Sequence, residues 1–196
     1  MKHTLTFLTA LLLATLTVGT CLLPVSSRSG AADFSKVPGV VVHRLRVPSL
    51  LERLAGKAIY TASPSIAVLP SGEYVISDNL FGSGSGADRS GTTHLCASRD
   101  HGRQWEKLAV LRDMKRGSLF VHRGSLYLLG YRAAPGDALI RRSDDGGRTW
   151  TEPRDELSGL LRRGEFAGTP NRPVIHEGRI WLAQSGRRVF SAPVEA

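Results

Sequence analysis

Cysteine is almost missing from this chain of 196 residues. The two present, Cys21 and Cys96, cannot build a disulfide framework. Aromatic residues make up only 7%, and acids are outnumbered by bases, 17 against 26, for a net charge of +9. After the first thirty residues there is no apolar run long enough to span a bilayer. What is present is 41% hydrophobic residues, too many for a disordered polymer, in a length that suits one domain or two. The 21 glycines and 10 prolines imply many turns, hence many short elements rather than a few long helices.

The first thirty residues read as a targeting segment. Lys2 and His3 give a basic start, Leu5 to Val18 is a short apolar run, and Gly30, Ala31 and Ala32 form a small-residue cleavage site before Asp33. Residues 1–32 are therefore expected to be a signal peptide, and the mature chain secreted or periplasmic. Lipidation at Cys21 competes, although Thr20 is a poor residue before a lipidated cysteine, and an uncleaved anchor is a further alternative. No membrane span is expected after cleavage. The arginines at 112, 116, 132, 141, 142, 162, 163, 187 and 188 are scattered among acids, with no aromatic-interleaved stripe. That pattern speaks against nucleic acid and for solubility or attraction to anionic glycans.

One pattern recurs three times: an apolar run, a tight turn closing on glycine, and a second apolar run holding an aromatic. It occupies Ile66 to Ile76, Leu119 to Leu129 and Val174 to Leu182, with turn glycines at 72, 124 and 178. Each copy predicts a β-hairpin, and a period of just over fifty residues fits the four strands of a propeller blade. Interleaved with the hairpins is the frame S-x-D-x-G-x-x-W. It is carried by Ser98, Asp100, Gly102 and Trp105, and again by Ser143, Asp145, Gly147 and Trp150. Ser and Asp can bind neighbouring N–H groups, Gly takes the positive φ, and Trp anchors the next strand.

These frames resemble the Asp-box, or BNR, repeats of the sialidase superfamily, and the likeness runs from about Tyr60 to Ala183. It implies an all-β, sialidase-like propeller of two and a half to three four-stranded blades from a six-bladed ring. Blade one would take about 60–112, blade two about 116–153 and an incomplete blade three about 170–196. Arg187 to Ser191 would be the last blade's third strand, the next frame being due beyond Ala196. Residues 33–59 would lead in, with Val37 to Val47 as a strand meant to close the ring. Leu50 to Ala55 reads as a short helical turn.

The resemblance implies that the eight frame residues are structural, on the rim away from the substrate. It also implies an exo-α-sialidase-like glycosidase acting on terminal acidic sugars, with a glycan or glycoconjugate as partner; a non-catalytic module binding glycan or protein is the alternative. In that family an Arg-Ile-Pro motif opens blade one, where this chain reads Ala62-Ser63-Pro64. The acid/base Asp would fall in the long Gly/Ser-rich loop after the second strand, at Asp88, with Asp78 the second choice. Arg132 and Arg172 are the substrate-binding candidates on the same rim. The histidines lack zinc-finger spacing, so no metal and no cofactor are expected. Cys96, mid-strand, reads as a small buried residue. Blade faces left open would bear Val174, Ile180, Trp181, Leu182 and Phe190 and favour self-association.

Overall fold

The computed structural model describes residues 39–43, 45–82, 91–132, 136–166, 171–184 and 188–193. The expected signal peptide, Cys21 and Asp88 lie outside the described residues. Among the described residues a single short helix, α1 (Leu50–Leu54), precedes the strands. Ser49 caps it by accepting from the Glu52 N–H at 3.2 Å, and Glu52 accepts from the Ser49 N–H at 2.8 Å. This capping box starts the helix. No buried residue holds it down, so it stays at one turn and a half.

Strands β1 (Tyr60–Val68), β2 (Tyr74–Phe81), β3 (Thr93–Ser98) and β4 (Glu106–Leu111) form one antiparallel meander in chain order. Strands β5 (Lys115–His122), β6 (Ser125–Tyr131), β7 (Gly136–Ser143) and β8 (Leu160–Phe166) form a second. A third sheet has three strands, β9 (Val174–His176), β10 (Arg179–Gln184) and β11 (Arg188–Pro193), ordered β11-β10-β9. All three expected hairpins are present, as is a strand across 188–191. Their turns take positive φ where the sequence puts glycine: +86° at Gly72, +82° at Gly124 and +70° at Gly178.

The two four-stranded sheets share one core. Val75, Leu95 and Ala97 of the first sheet, fully buried, join Leu119 and Leu128 of the second, and Met114 in the connection between them, in a single apolar cluster. Successive four-stranded meanders packed in this way are neighbouring propeller blades. Polar groups pin the junction. The N–H of Leu119 in β5 donates to Ser65 Oγ in β1 at 2.9 Å. The buried Asn79 side chain donates to the Thr92 carbonyl (3.1 Å), Thr93 Oγ1 (2.7 Å) and the Met114 carbonyl (3.3 Å). Its oxygen accepts the Arg116 N–H at 2.7 Å. Both first strands carry a bulge, at Ala62/Ser65 and at Lys115/Ser118, with Ser63 and Arg116 at φ +57° and +54°.

The two S-x-D-x-G-x-x-W turns fold alike. Ser98 Oγ donates to Asp100 Oδ1 and accepts the Gly102 N–H, both at 2.8 Å. Asp100 Oδ1 also accepts the N–H groups of Arg103 and Gln104, at 3.0 and 2.8 Å. Trp105 Nε1 returns to the Gly102 carbonyl at 3.0 Å. Ser143, Asp145, Gly147 and Trp150 repeat every one of these bonds, and Thr149 Oγ1 adds one to Asp145 Oδ2 at 2.6 Å. Glu73 ties the turns together, 3.3 Å from Arg99 and 3.5 Å from Arg148.

Two expectations are corrected. Residues 39–43 and 45–47 form no strand: no hydrogen-bonded neighbour runs beside them among the described residues, and a strand exists only in a ladder. The second blade also reaches past 153, because its fourth strand is β8, ending at Phe166. The Thr151 N–H donates to the Arg142 carbonyl and the Arg142 N–H to Thr151 Oγ1, both at 2.9 Å, but no ladder follows, and Pro153 has no N–H to give. An Asp155–Ser158 turn then leads to Gly159 at φ +113°, where the chain returns to β7 through the Ile140 N–H, 2.8 Å from the Gly159 carbonyl.

The third sheet meets the second through an edge-to-face contact of Phe166 and Phe190 at 5.8 Å. Val174, Ile175, Trp181 and Val189 stay exposed, while Ile180, Leu182 and Phe190 are half-buried.

Candidate functional site

In a strand, side chains alternate between faces. Val75, Leu95 and Ala97 turn toward the second blade, so Ile76 and Cys96, which pair across β2 and β3, belong to the other face. Asp78 and His94 pair on that same face. Over them lies the segment leading into α1, which presents His43. His43 Nδ1 is 2.9 Å from Asp78 Oδ2, and His94 Nδ1 is 3.4 Å from Asp78 Oδ1. The two imidazole rings meet edge to face with centroids 5.0 Å apart. The Asp78 side chain is only 10% exposed.

The second of these contacts is a proximity and not a hydrogen bond. Asp78 Oδ1 and His94 Nδ1 are both buried, and neither has a hydrogen-bond partner. Burial pushes the pKa of His94 down, the Asp78 carboxylate resists that, and His43 adds to the lowering. Burial also pushes the Cys96 thiol up, and the nearby Asp78 carboxylate adds to this. Cys96 is half-buried and free, and a raised thiol makes it a poor nucleophile.

A second feature is a cleft of about 380 Å³ lined by Arg112, Asp113, Arg132, Arg141, Glu152 and Pro153. Arg132, just past β6, is paired with Asp113 through Nη1 and lies 3.4 Å from Asp137 through Nε. Its side chain is 37% exposed. Arg141 is 4% exposed and acts as a staple. It donates to Glu152 Oε1 at 2.7 Å, to the Thr151 carbonyl at 3.0 Å and to the Arg112 carbonyl at 3.4 Å.

Of the expected site residues, Asp78 sits between two imidazoles, Arg132 opens on the cleft, and Arg172 is exposed just before β9. No hydrogen bond, ion pair or shared cleft brings these three together among the described residues. The spacing of His43 and His94 in the sequence gives no hint that they meet at Asp78, nor does it pair Arg141 with Glu152. A signal for one of them existed: four residues along each strand from the Tyr74/Ser98 pair, the register sets Asp78 opposite His94.

No family model matches this sequence, and no curated protein matches it. Solved structures with a similar fold were found. A Hadza microbial sialidase is 19% identical, with a TM-score of 0.44, over 65% of this chain and 27% of that one. A family 117 glycoside hydrolase of Zobellia galactanivorans is 16% identical, TM-score 0.46, over 71% of this chain and 51% of that one. The α-L-arabinanase of Penicillium chrysogenum, complexed with arabinobiose, is 17% identical, TM-score 0.40, over 62% and 40%. This chain thus spans between about a quarter and a half of the length of these three structures.

Proposed function

We propose that the chain is a glycosidase-like propeller of the sialidase type, acting outside the cytoplasm on acidic glycans, and that residues 33–196 bind such glycans without cleaving them. The observation that carries this reading is the duplicated turn. Two copies of one frame, 45 residues apart, make the same set of hydrogen bonds at equivalent places in two packed blades. Those turns are the Asp-boxes of the resemblance, which puts the sugar at the opposite rim. There the β4–β5 and β6–β7 connections carry Asp113 and Arg132.

Arg132 is the residue suited to a sugar carboxylate. Its guanidinium is already oriented by two aspartates, and Asp113, 46% exposed, is a partner that an incoming carboxylate can displace. A planar fork held in place recognises a carboxylate bidentately at little further entropic cost. Arg172, exposed, would lend longer-range attraction. Asp78 is a poor acid/base, because its carboxylate is buried against two imidazoles. Were the chain to cleave, Asp88 would be the acid.

Cleavage needs more. An oxocarbenium-like transition state calls for a nucleophile and a cluster of cations about the substrate carboxylate, and Ala62-Ser63-Pro64 stands where the first arginine would be. Binding without turnover is the consequence.

Saturation-transfer NMR with 3′-sialyllactose and lactose tests the binding, and a fluorogenic sialoside tests turnover. The sialylated sugar should bind at least tenfold more tightly than lactose, Arg132→Ala should erase the difference, and no fluorophore should be released. Equal affinity for the two sugars, or none for either, sinks the glycan reading. Release that vanishes on Asp88→Ala would overturn the binding-only part and establish the acid.

A further inference from the structure

Among the described residues, the cluster of His43, Asp78 and His94 is the one place where three metal-ligating side chains converge. Its ligand atoms all lie within 4.8 Å of one another. A hydrogen-bonded relay explains only part of it. His43 and Asp78 Oδ2 satisfy each other at 2.9 Å. Asp78 Oδ1 and His94 Nδ1, however, face each other at 3.4 Å, buried, and without a hydrogen bond to anything. Leaving two such atoms unpaired out of water costs about 1–3 kcal/mol each. A cation between them satisfies both at once.

Two of the three ligand separations suit this. Ligands held about 2.0–2.1 Å from a tetrahedral ion stand about 3.3–3.4 Å apart. The Asp78 Oδ1 to His94 Nδ1 separation is 3.4 Å, and the His43 Nδ1 to Asp78 Oδ2 separation of 2.9 Å widens to that value with a small swing of the His43 ring. That ring belongs to a segment outside the sheets, so the swing disturbs no ladder. Two imidazoles and one carboxylate are borderline donors that suit zinc and its neighbours. Calcium takes six to eight oxygens and magnesium an octahedron of them, which this set cannot offer.

We infer that His43, Asp78 and His94 form a binding site for one divalent transition ion of the zinc class, which fastens the segment before α1 to the outer face of the first blade. Three protein ligands leave a coordination position for water, as in zinc sites that are not purely structural. This inference does not depend on the glycan reading, and its test uses no sugar.

The test is calorimetric titration of the full, metal-stripped chain with Zn²⁺, paralleled by Co²⁺ as a spectroscopic probe. One ion per chain should bind, Co²⁺ should give the visible absorption of a tetrahedral site, and Ca²⁺ and Mg²⁺ should give no heat. His43→Ala and His94→Ala should each weaken Zn²⁺ binding at least a hundredfold, and His176→Ala, at an exposed histidine in another sheet, should leave it unchanged. Should His94→Ala fail to fold, His43→Ala decides alone, since residue 43 lies outside every sheet. The inference is overturned if no saturable Zn²⁺ binding occurs up to about 100 µM, if His43→Ala binds as tightly as the parent, or if Ca²⁺ binds as well as Zn²⁺.

Discussion

Replacing Asp145 by alanine tests whether the repeated turns hold the blades or merely decorate them. The substitution removes the acceptor for Ser143 Oγ, for the N–H groups of Arg148 and Thr149, and for Thr149 Oγ1. This is the role of a helix N-cap, one carboxylate closing several N–H groups, transplanted to a hairpin turn. Arg148 and Thr149 are exposed, so their freed donors find water and most of the penalty for orphaned groups falls away, the buried Ser143 hydroxyl excepted. After allowing for solvent screening, about 1–2 kcal/mol remains. For a protein of this size that lowers Tm by roughly 2–8 °C.

Asp100 engages one oxygen where Asp145 engages two, so Asp100→Ala should lower Tm less. The pH dependence has a definite sign. Partial burial pushes the Asp145 carboxyl up, but the hydrogen bonds from Thr149, Ser143 and Arg148 outweigh it and hold the group well below its ordinary 3.8. Its contribution is therefore complete above the unfolded value and is lost as pH falls toward the folded one. The gap in Tm between parent and Asp145→Ala should be constant from about pH 5 to 7 and should narrow below about pH 4. Differential scanning calorimetry at several pH values measures both. An Asp145→Ala protein melting within a degree of the parent at neutral pH, or an Asp100→Ala protein melting lower still, would refute the account.

Two further outcomes are expected. An alanine Cβ at Gly159 would sit 2.2 Å from the Ile140 carbonyl oxygen, at φ +113°, whereas one at Gly72 would meet open space at φ +86°. Urea unfolding should therefore find Gly159→Ala destabilised by more than about 2 kcal/mol and Gly72→Ala by only about 1 kcal/mol, strain without a clash; equal losses would discredit the steric argument. Separately, Val174 and Val189 on the third sheet and Ile66 and Val68 on the first are all more than half exposed. Apolar surface of that kind drives association, so light scattering should show species larger than a monomer, and a sharp monomer peak would mean that these faces are covered.

The hairpins and the repeated turns were legible because their determinants are local. A glycine at the required φ, or a Ser and an Asp two residues apart, acts on groups within four positions along the chain. The His43 cluster was opaque for the opposite reason. Its members are 35 and 16 positions apart, and the long loop between β2 and β3 carries no turn signal to fix their register. Fixing that register from the Tyr74/Ser98 pair would have exposed Asp78 and His94, but nothing in the spacing points to His43. The displaced β8 was hidden by analogy with the first blade, where β4 follows its tryptophan at once. Pro153 was the visible warning, a residue that cannot continue a ladder.

The Asn79 amide has a consequence for how the chain acquires its structure during synthesis. All four strands of the first blade have been made by residue 111, yet the Asn79 side chain has no taker for its oxygen until the Arg116 N–H follows, and it needs the Met114 carbonyl as well. The first blade on its own would thus bury an unfinished polar group. The unit that gains stability all at once is larger than the visual repeat, and its boundary falls inside the next one. Slow hydrogen exchange should therefore follow the asparagine and not the blade: amides of β2, β3 and the start of β5 should open together, while those of β9 to β11 exchange as a separate group.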